Sequence, residues 1–399
     1  MRSASAKPRD PGCRVCFVTR PPGTYSGATF HAMWLAEKLA ALDVTVEFLS
    51  FHNGDAPHSA RTTEGFRVHY LRKRFARYPE LVLWPEFALF FQLRRGFDVV
   101  HVHSCGYLES FLGVAARLAG MASIANVMLH GSDLGPTGRL EAPLRNRLAR
   151  AFHRIVPISE ETRQEALQAG FEPSRIVKIP IGVDVDRFRP VATPGARAGL
   201  RARFALPPDR PIVTFVGALN ARKNIVWLLD AWERRPPELE SALLLVVGDA
   251  VHDPEGPEIR RQVAERICRL GRAARWIPFV REIEQIYTVS DALVLPSLAE
   301  GMPSVVLQAM ASGVPVVTTP VSGVRELVGE RMERGWLFDF NRSDQLWDAL
   351  RALLEDADRH PSVARAAREH VVAHCSLDVV AGRYRELYAS IARPRSARP

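Results

Sequence analysis

An acidic residue and the start of a predicted helix lie close together in the second half of the sequence. Glu300 and Gly301 follow an apolar run that is typical of a buried strand, and Pro303 stands where a helix would begin. In open parallel sheets, ligands bind at the carboxyl ends of the strands. The free amides of a first helical turn, together with the helix dipole, attract anions. The segment therefore predicts a site for a polar ligand that carries an anionic group, and the alternative is an ordinary βαβ unit with an acid in its loop.

Neighbouring residues complete this predicted site. Gly301 lets a ligand approach the backbone closely, because glycine has no side chain. The amides near Met302 and Ser304 would face the anion, and Pro303 suits the first turn of the helix, where its missing N–H has no cost. Gln308 falls in the second turn and is predicted to point toward the same ligand.

Polar residues of the first half are candidates for a second part of the site. His130 and Asp133 follow a predicted strand within the sequence HGSD. Asp133 could orient this loop or meet the acceptor, and His130 could be simply a hydrogen-bonded polar residue of the loop. Gly23 and Gly27 lie in a loop between the first predicted strand and a helix, so we expect phosphate or acceptor binding there. This loop is not G-x-G-x-x-G, which argues against a dinucleotide-dependent oxidoreductase.

Two histidines and two cysteines have spacings that could suit a metal ion. His101 and His103 alternate along one strand and point to the same side, but a metal would need a third ligand, for which His130 is the candidate. Cys13 and Cys16 have C-x-x-C spacing but lie in an apolar run without a second pair, which favours core cysteines over a zinc or redox site. The sequence predicts no metal and no cofactor.

Alternation of β-branched runs with helical stretches predicts βαβ units with parallel sheets. Strands are predicted at 13–19, 44–50, 97–104, 211–219, 242–249, 275–279, 292–297 and 315–319, with 123–133 a strand that runs into a loop and with 154–159 and 175–184 completing the first half. Helices are predicted at 28–41, 108–119, 224–233, 256–270 and 303–312, with 343–392 helical throughout. A segment rich in Pro, Arg, Gly and Ala at 185–211, which contains a short helix, predicts a domain boundary.

Composition narrows the class of protein. A chain of 399 residues suits two domains. We find no apolar stretch of about 20 residues, which a membrane span requires, and the polar start is unlike a signal peptide. The low, odd number of cysteines, 5, predicts a reducing compartment and hence a cytoplasmic location. The net charge of +9 favours anionic partners, which include nucleic acid, acidic lipid and phosphorylated substrates. The motifs favour a phosphorylated substrate, and we expect no nucleic acid.

An aromatic and basic stretch, 69–97, admits two interpretations. Its arginines and lysines could lie at headgroup level with the aromatic and leucine side chains below, as in a peripheral contact with the inner face of a membrane. The alternative is a pair of helices that pack their aromatic side chains under the sheet.

The segment around Glu300 resembles the signature of the family 4 retaining glycosyltransferases, which have the GT-B fold. The matching residues are Pro296, Ser297, Glu300, Gly301, Ala309, Met310, Ala311, Gly313, Pro315, Val316 and Val317. The chain departs from the family at Gln308, where the family usually has a second Glu, and at Ala218, where an Arg often follows the glycine that is Gly217 here. HGSD, RIVPISE, IPIGVDVDRFRP, FVGALNARKN and VSGVRELV match further family segments in the same order.

This resemblance implies a fold and roles for several residues. It implies two Rossmann-like domains that face each other across a cleft, at 1–190 and 205–375, with 376–399 a helix that packs back toward the first domain. It implies that Glu300 and His130 contact the donor sugar and that Lys223 contacts the diphosphate, with Arg222 compensating for the missing Arg. It also implies retention of anomeric configuration by front-face attack, without a metal.

The sequence thus predicts a transferase that moves a sugar from a nucleotide diphosphate sugar to a lipid-linked or small-molecule hydroxyl acceptor, as in polysaccharide assembly. A second hypothesis is a non-catalytic GT-B homologue that binds a sugar nucleotide or a partner protein, which Gln308 and Ala218 motivate. A third is a GT-B-like epimerase, but such enzymes lack the Glu-Gly helix signature.

Overall fold

The computed structural model describes residues 12–21, 27–52, 59–72, 96–104, 107–135, 141–191, 193–250, 255–355 and 359–392. They form two compact units. Unit 1 comprises the chain up to Pro157, Arg163–Ile179 and the chain from Val380 onward. Unit 2 comprises Ile158–Thr162 and Pro180–Val379. Residues 180–190, which the sequence analysis assigned to the first domain, therefore belong to unit 2.

Unit 1 is built on a seven-stranded sheet. Its strands are β1 (Arg14–Thr19), β2 (Thr45–His52), β3 (Ser59–Arg61), β4 (Arg67–Arg72), β5 (Val99–Val102), β6 (Ala122–Val127) and β7 (Arg154–Pro157). They lie in the order β3-β4-β2-β1-β5-β6-β7, and each neighbouring pair is parallel except β3 with β4. The central strands are buried on both faces, as parallel sheets covered by helices require.

Helices cover both faces of this sheet. They are α1 (Gly27–Ala40), α2 (Tyr107–Leu118), α3 (Glu141–Ala149), α4 (Glu160–Gln168) and α13 (Leu377–Ile391). Cys16 and Val18 of β1 pack in one apolar cluster with residues of α2, α3 and α4. Val15 and Phe17 point to the other face and pack with residues of α1 and α13. The alternation along β1 therefore assigns the helices to two opposite layers.

Unit 2 is built on a six-stranded parallel sheet in the order β10-β9-β8-β11-β12-β13. Its strands are β8 (Ile212–Val216), β9 (Leu243–Val247), β10 (Ala274–Ile277), β11 (Ala292–Leu295), β12 (Val316–Thr318) and β13 (Trp336–Leu337). Its helices are α5 (Pro194–Arg203), α6 (Ile225–Glu233), α7 (Gly256–Leu270), α8 (Glu284–Val289), α9 (Ser304–Ala311), α10 (Val324–Val328), α11 (Ser343–Glu355) and α12 (Arg359–Cys375).

Both sheets have the strand order of a Rossmann-like fold, which confirms the predicted α/β class. The order reverses between β1 and β5 in unit 1 and between β8 and β11 in unit 2. Ligands of such sheets bind outside the carboxyl ends of the strands at this reversal. In unit 2, a ligand site is therefore expected at the residues that follow β8 and β11.

Several elements differ from the sequence-based expectations. The strands β3, β4 and β13 were not predicted. Residues 175–184 contain no strand: a short 3₁₀ turn covers Pro173–Arg175, and isolated bridges join Ile176 to Ile155 and Val183 to Ser376. The stretch 343–392 is helical, as predicted, and consists in the described residues of the three helices α11, α12 and α13. Among the described residues, we find no helix with the length and apolarity needed to cross a membrane.

Candidate active site

A short 3₁₀ turn after β8 positions the two basic residues of the candidate site. Asn220 caps this turn, because its Oδ1 accepts a hydrogen bond of 3.0 Å from the backbone N–H of Lys223. The carbonyl of Arg222 accepts a 2.8 Å bond from the N–H of Leu298, in the loop after β11. A Cβ atom built on Gly217 would lie 3.5 Å from Cε of Lys223, so the lysine stem passes directly over this glycine. The turn is thus fixed to both strands of the reversal point.

Glu300 forms ion pairs with both of these basic residues. Its Oε1 lies 2.7 Å from Nζ of Lys223, and its Oε2 lies 2.6 Å from Nη1 of Arg222. The side chains of Glu300 and Lys223 are only 9% and 10% exposed, whereas that of Arg222 is 36% exposed. Arg222 also donates a 2.7 Å hydrogen bond to the carbonyl of Ala299, which holds its guanidinium beside the carboxylate.

The electrostatics of this cluster favour an ionised glutamate. Burial is the largest influence on Glu300 and opposes ionisation, but the attraction and hydrogen bonding of Lys223 and Arg222 together outweigh it, so its pKa lies below the ordinary value. Burial lowers the pKa of Lys223, and repulsion from Arg222 adds to this, while Glu300 acts in the opposite direction. The cluster therefore holds two cationic groups against one buried carboxylate and has a net positive charge.

The N-terminus of α9 follows Glu300 directly. Gly301, Met302 and Pro303 are buried, and Pro303 is the N-cap residue rather than part of the first turn. The N–H groups of Ser304 and the residue after it have no partner within the helix, as at the start of any α-helix. These amides are close in sequence to Glu300 and, with the helix dipole, add to the attraction for an anion.

Gly323 supports the loop that carries Glu300. Its φ of 75° lies in the left-handed region. A Cβ atom at this position would approach the carbonyl oxygen of Gly301 to 2.8 Å and Cβ of Met302 to 3.0 Å. Only a residue without a side chain fits here, and the sequence pattern did not single it out.

The second-turn residue of α9 has a contact that the sequence did not predict. Gln308 is buried, and its Oε1 accepts a hydrogen bond of 2.9 Å from the hydroxyl of Tyr287 in α8. One side of the amide is therefore occupied by a neighbouring helix. The predicted role of Gln308 in nucleotide binding stays a prediction.

In unit 1, the predicted loop with His130 is braced by two carboxylates. Oδ2 of Asp133 accepts hydrogen bonds of 2.5 Å and 3.1 Å from the backbone N–H groups of Met128 and Leu129. Asp133 thus orients the loop, and its predicted place on the acceptor side stays a prediction. His130 is exposed, and its Nδ1 lies 3.4 Å from Oε2 of Glu165 in α4.

Glu165 and Arg145 belong to this loop structure, although the sequence analysis missed them. Oε1 of Glu165 accepts a 3.1 Å hydrogen bond from the N–H of Gly131, and burial raises the pKa of this carboxyl group despite the opposing effects of Gly131 and His130. The buried Arg145 donates bonds of 3.0 Å and 2.5 Å to the carbonyls of Ser132 and Gly135. Because these partners are far apart in sequence, no local pattern could have indicated them.

His101 and His103 are core residues at the carboxyl end of β5. The ring of His101 hydrogen-bonds the hydroxyl of Tyr388 at 2.7 Å and Oδ1 of Asn126 at 2.9 Å. His103 stacks on His101, with ring centroids 4.1 Å apart. Burial lowers the pKa of both rings, that of His101 to about 3. In the described part of the chain, no group of three His, Cys, Asp or Glu residues is arranged to hold a metal ion.

Other predicted features fall wholly or partly outside the described residues. Gly23 is outside them, whereas Gly27 is the exposed first residue of α1. Of the aromatic and basic stretch 69–97, the first residues belong to β4, and 73–95 are outside the described residues. The membrane interpretation of this stretch stays a prediction.

Two family descriptions match this chain. Residues 25–187 match "Glycosyltransferase Family 4", and residues 197–370 match "Glycosyl transferases group 1". The chain belongs to glycosyltransferase family 4. The predicted family is thereby confirmed, and the Glu300 cluster lies inside the second matched region.

Relatives of this family 4 glycosyltransferase match it over most of its length. The alpha-maltose-1-phosphate synthase of Mycolicibacterium smegmatis is 26% identical, over 95% of this chain and 99% of its own. The GDP-mannose-dependent alpha-(1-6)-phosphatidylinositol monomannoside mannosyltransferase of Mycobacterium tuberculosis is 28% identical, over 90% of each chain.

Solved structures of low identity share its fold. Anabaena HepE, determined in complex with UDP and glucose, superposes with a TM-score of 0.76 at 19% identity, over 95% of this chain and 100% of that one. Sucrose-phosphate synthase from Thermosynechococcus elongatus gives a TM-score of 0.77 at 21% identity, with the same coverage. The fold of this family 4 member is therefore GT-B, as predicted.

Proposed function

We propose that this glycosyltransferase moves a hexose unit from a nucleoside diphosphate sugar to a hydroxyl acceptor, with retention of anomeric configuration. The observation that carries the proposal is the contact of Glu300 with Lys223 and Arg222 at the reversal point of the unit 2 sheet. A sugar hydroxyl and a diphosphate need a carboxylate and cations side by side, and this cluster supplies them within a few ångströms.

The leaving group explains why two cations are needed. In the transfer, the bond from the anomeric carbon to the diphosphate oxygen breaks, and a bond from the acceptor oxygen to the same carbon forms. The acceptor proton passes to the departing diphosphate, whose negative charge rises as the bond breaks. Lys223, Arg222 and the first amides of α9 are preorganised donors for this charge, and such groups are worth most in a site sheltered from water.

Without a ligand, the carboxylate of Glu300 forms ion pairs with the two cationic side chains that the diphosphate would contact. Lys223 has three N–H donors and Arg222 has five, so both can bind phosphate oxygens while they keep their bonds to the carboxylate. Glu300 then has a free lone pair for a sugar hydroxyl. We propose that no metal is required, because these groups supply the positive charge that a divalent cation supplies elsewhere.

The acceptor is proposed from the chemistry of relatives. One relative is by its name a mannosyltransferase acting on phosphatidylinositol monomannoside, and another is a synthase of alpha-maltose-1-phosphate. We propose a lipid-linked or small-molecule hydroxyl acceptor in polysaccharide or glycoconjugate biosynthesis, and UDP or GDP as the nucleotide of the donor.

A ligand screen followed by turnover tests this function. The full chain is heated with UDP- and GDP-linked hexoses, and a donor that binds the native state is expected to raise the unfolding temperature. The best donor is then incubated with hydroxyl acceptors, with and without EDTA, while release of the nucleoside diphosphate is measured. We expect acceptor-dependent release that EDTA does not abolish. Tight binding without release on any acceptor would instead support the non-catalytic hypothesis.

A further inference from the structure

Unit 1 contains a basic pocket at a place that the proposed transfer does not use. The pocket has a volume of about 330 Å³ and is lined by Arg117, Gly120, His153, Arg154 and Arg175. We call it the arginine pocket. No acidic side chain is among its lining residues.

Three arginines approach each other in this pocket, and none of them forms an ion pair with a carboxylate of the described residues. Arg117 lies in the last turn of α2, Arg154 is the first residue of β7, and Arg175 ends the 3₁₀ turn that precedes Ile176. Within the described ranges, no carboxylate oxygen lies within the 4.0 Å of an ion pair to any of the three guanidinium groups. Burial lowers the pKa of Arg175, and repulsion from Arg117 and Arg154 adds to this, with Glu172 acting in the opposite direction.

Backbone carbonyls hold two of these arginines in place. Arg175 donates a 2.7 Å hydrogen bond to the carbonyl of Arg150 and another bond to that of Phe152. Arg154 donates a 2.9 Å bond to the carbonyl of His153. Since a guanidinium has five N–H donors, each arginine keeps donors for a ligand. Two of the three positive charges are thus held in place before any ligand arrives, which reduces the entropy lost on binding.

His153 also lines the pocket, and its ring is held against β6. Its Nδ1 accepts a hydrogen bond of 3.2 Å from the backbone N–H of Ser123. The donors that the pocket offers to a phosphate are therefore those of the arginines, and a phosphate has several acceptor oxygens for them.

The arginine pocket lies at the opposite end of the strands from the loop that contains His130 and Asp133. Gly120 precedes β6, and His153 and Arg154 stand at the amino end of β7. His130 follows the carboxyl end of β6, and this strand is about 16 Å long at roughly 3.3 Å per residue. A ligand in the arginine pocket would therefore lie away from that loop.

We propose that the arginine pocket binds a phosphate group, either of a free phosphorylated molecule or of a phospholipid headgroup. Arginine forks match the geometry of phosphate oxygens, and three converging guanidinium groups suit a doubly charged phosphomonoester. An apolar side chain next to the pocket is relevant to the choice between these two ligands: Leu118 is 75% exposed. It would enter the acyl region if the ligand is a membrane lipid.

Two surface substitutions provide the test in solution. Inorganic phosphate is titrated into the full chain by calorimetry, and the Arg117→Gln/Arg154→Gln variant is compared with wild type. The control is Arg383→Gln/Arg385→Gln, which removes the same charge from exposed positions of α13, on the other face of the sheet. We expect at least tenfold weaker binding in the pocket variant, unchanged binding in the control, and weaker wild-type binding at high salt.

A vesicle assay distinguishes the two sources of phosphate. The same proteins are sedimented with phosphatidylcholine vesicles with and without phosphatidic acid. If the pocket variant loses phosphatidic acid-dependent sedimentation but keeps phosphate binding in solution, the ligand is a lipid headgroup. If it loses phosphate binding in solution but still sediments with phosphatidic acid, the ligand is a free phosphorylated molecule. The proposal is overturned if neither probe separates the pocket variant from wild type, or if the control variant loses as much binding. The outcome does not depend on transferase activity.

Discussion

Replacement of Lys223 by methionine removes one charge from the candidate active site while keeping the length of the side chain. In the free chain, Nζ of Lys223 lies 2.7 Å from Oε1 of Glu300, and both side chains are about nine-tenths buried. If the same ammonium group receives the diphosphate of the donor, its loss removes a charge-assisted contact that methionine cannot replace.

Two magnitudes follow from this geometry. A hydrogen bond to a charged group contributes about 1.5–3 kcal/mol, so the affinity for a nucleoside diphosphate should fall by roughly 10- to 150-fold. Breaking a buried ion pair costs about 3–5 kcal/mol of folding free energy, and we expect the lower end, because Arg222 still pairs with Glu300. The free energy of unfolding should thus fall by about 3 kcal/mol without loss of the fold.

Calorimetric titration of UDP and GDP measures the first magnitude. The matched control is Lys178→Met, which makes the same replacement at an exposed lysine of unit 1. Wild type and control should bind alike, and the Lys223 variant should bind more weakly. Equal affinity of all three proteins for both nucleotides would refute the assignment of Lys223 to the diphosphate.

Three further outcomes are expected. Glu300→Gln should leave the binding of nucleoside diphosphate unchanged or make it tighter in the same titration, because it removes a negative charge beside the phosphates; weaker binding would show that Glu300 contacts the nucleotide in another way. Burial lowers the pKa of His31 to about 4, so the unfolded state takes up the proton first and wild type should lose stability as pH falls from about 6.5 toward 4. His31→Gln should remove up to about 2 kcal/mol of that loss at pH 5 in thermal unfolding, and an unchanged slope would contradict the buried neutral ring. Gly135→Ala should destabilise the protein by about 1–3 kcal/mol in denaturant unfolding, because its Cβ would lie 2.4 Å from the carbonyl oxygen of Gly131. The control Gly382→Ala should stabilise the protein slightly, because a Cβ there meets nothing within 4 Å. Equal effects of the two substitutions would contradict this geometry.

The Glu300 cluster was accessible to sequence reasoning because its parts are local. An apolar strand, an acid, a glycine and a helix-starting proline follow one another within a few residues, and Lys223 lies at the equivalent place after another strand. Parallel pairing then brings both strand ends to one edge of the sheet. The 2.7 Å contact of Lys223 with Glu300 is the physical result.

Contacts between distant segments were not accessible. Glu165 stabilises the loop of His130 by accepting a hydrogen bond from the N–H of Gly131, although the two residues are more than 30 positions apart in the sequence. Tyr287 occupies Oε1 of Gln308 from another helix. A single sequence carries no signal for such pairs, because each residue alone fits an ordinary amphipathic helix.

Strand predictions were wrong where apolar character and pairing disagree. Residues 175–184 are apolar and β-branched enough to predict a strand. They form only the bridges at Ile176 and Val183 and single backbone hydrogen bonds from Val177 and Ile179 to carbonyls of β7, which do not extend into a ladder. Conversely, β13 is only two residues long, Trp336–Leu337, and exists because β12 offers it a partner. Whether an edge segment forms a strand depends on the neighbouring strand that it can pair with, and the tertiary structure determines that neighbour.

Acceptor-dependent release of nucleoside diphosphate by Glu300→Gln tests the central claim most directly. The control is Glu258→Gln, the same change at an exposed glutamate of α7. The account predicts that the Glu300 variant still binds the nucleotide. Its rate of acceptor-dependent formation of nucleoside diphosphate should be at least about 100-fold lower than that of wild type, as when one preorganised polar contact in a sheltered site is lost. The control should be unaffected. Release at the wild-type rate by the Glu300 variant would contradict it.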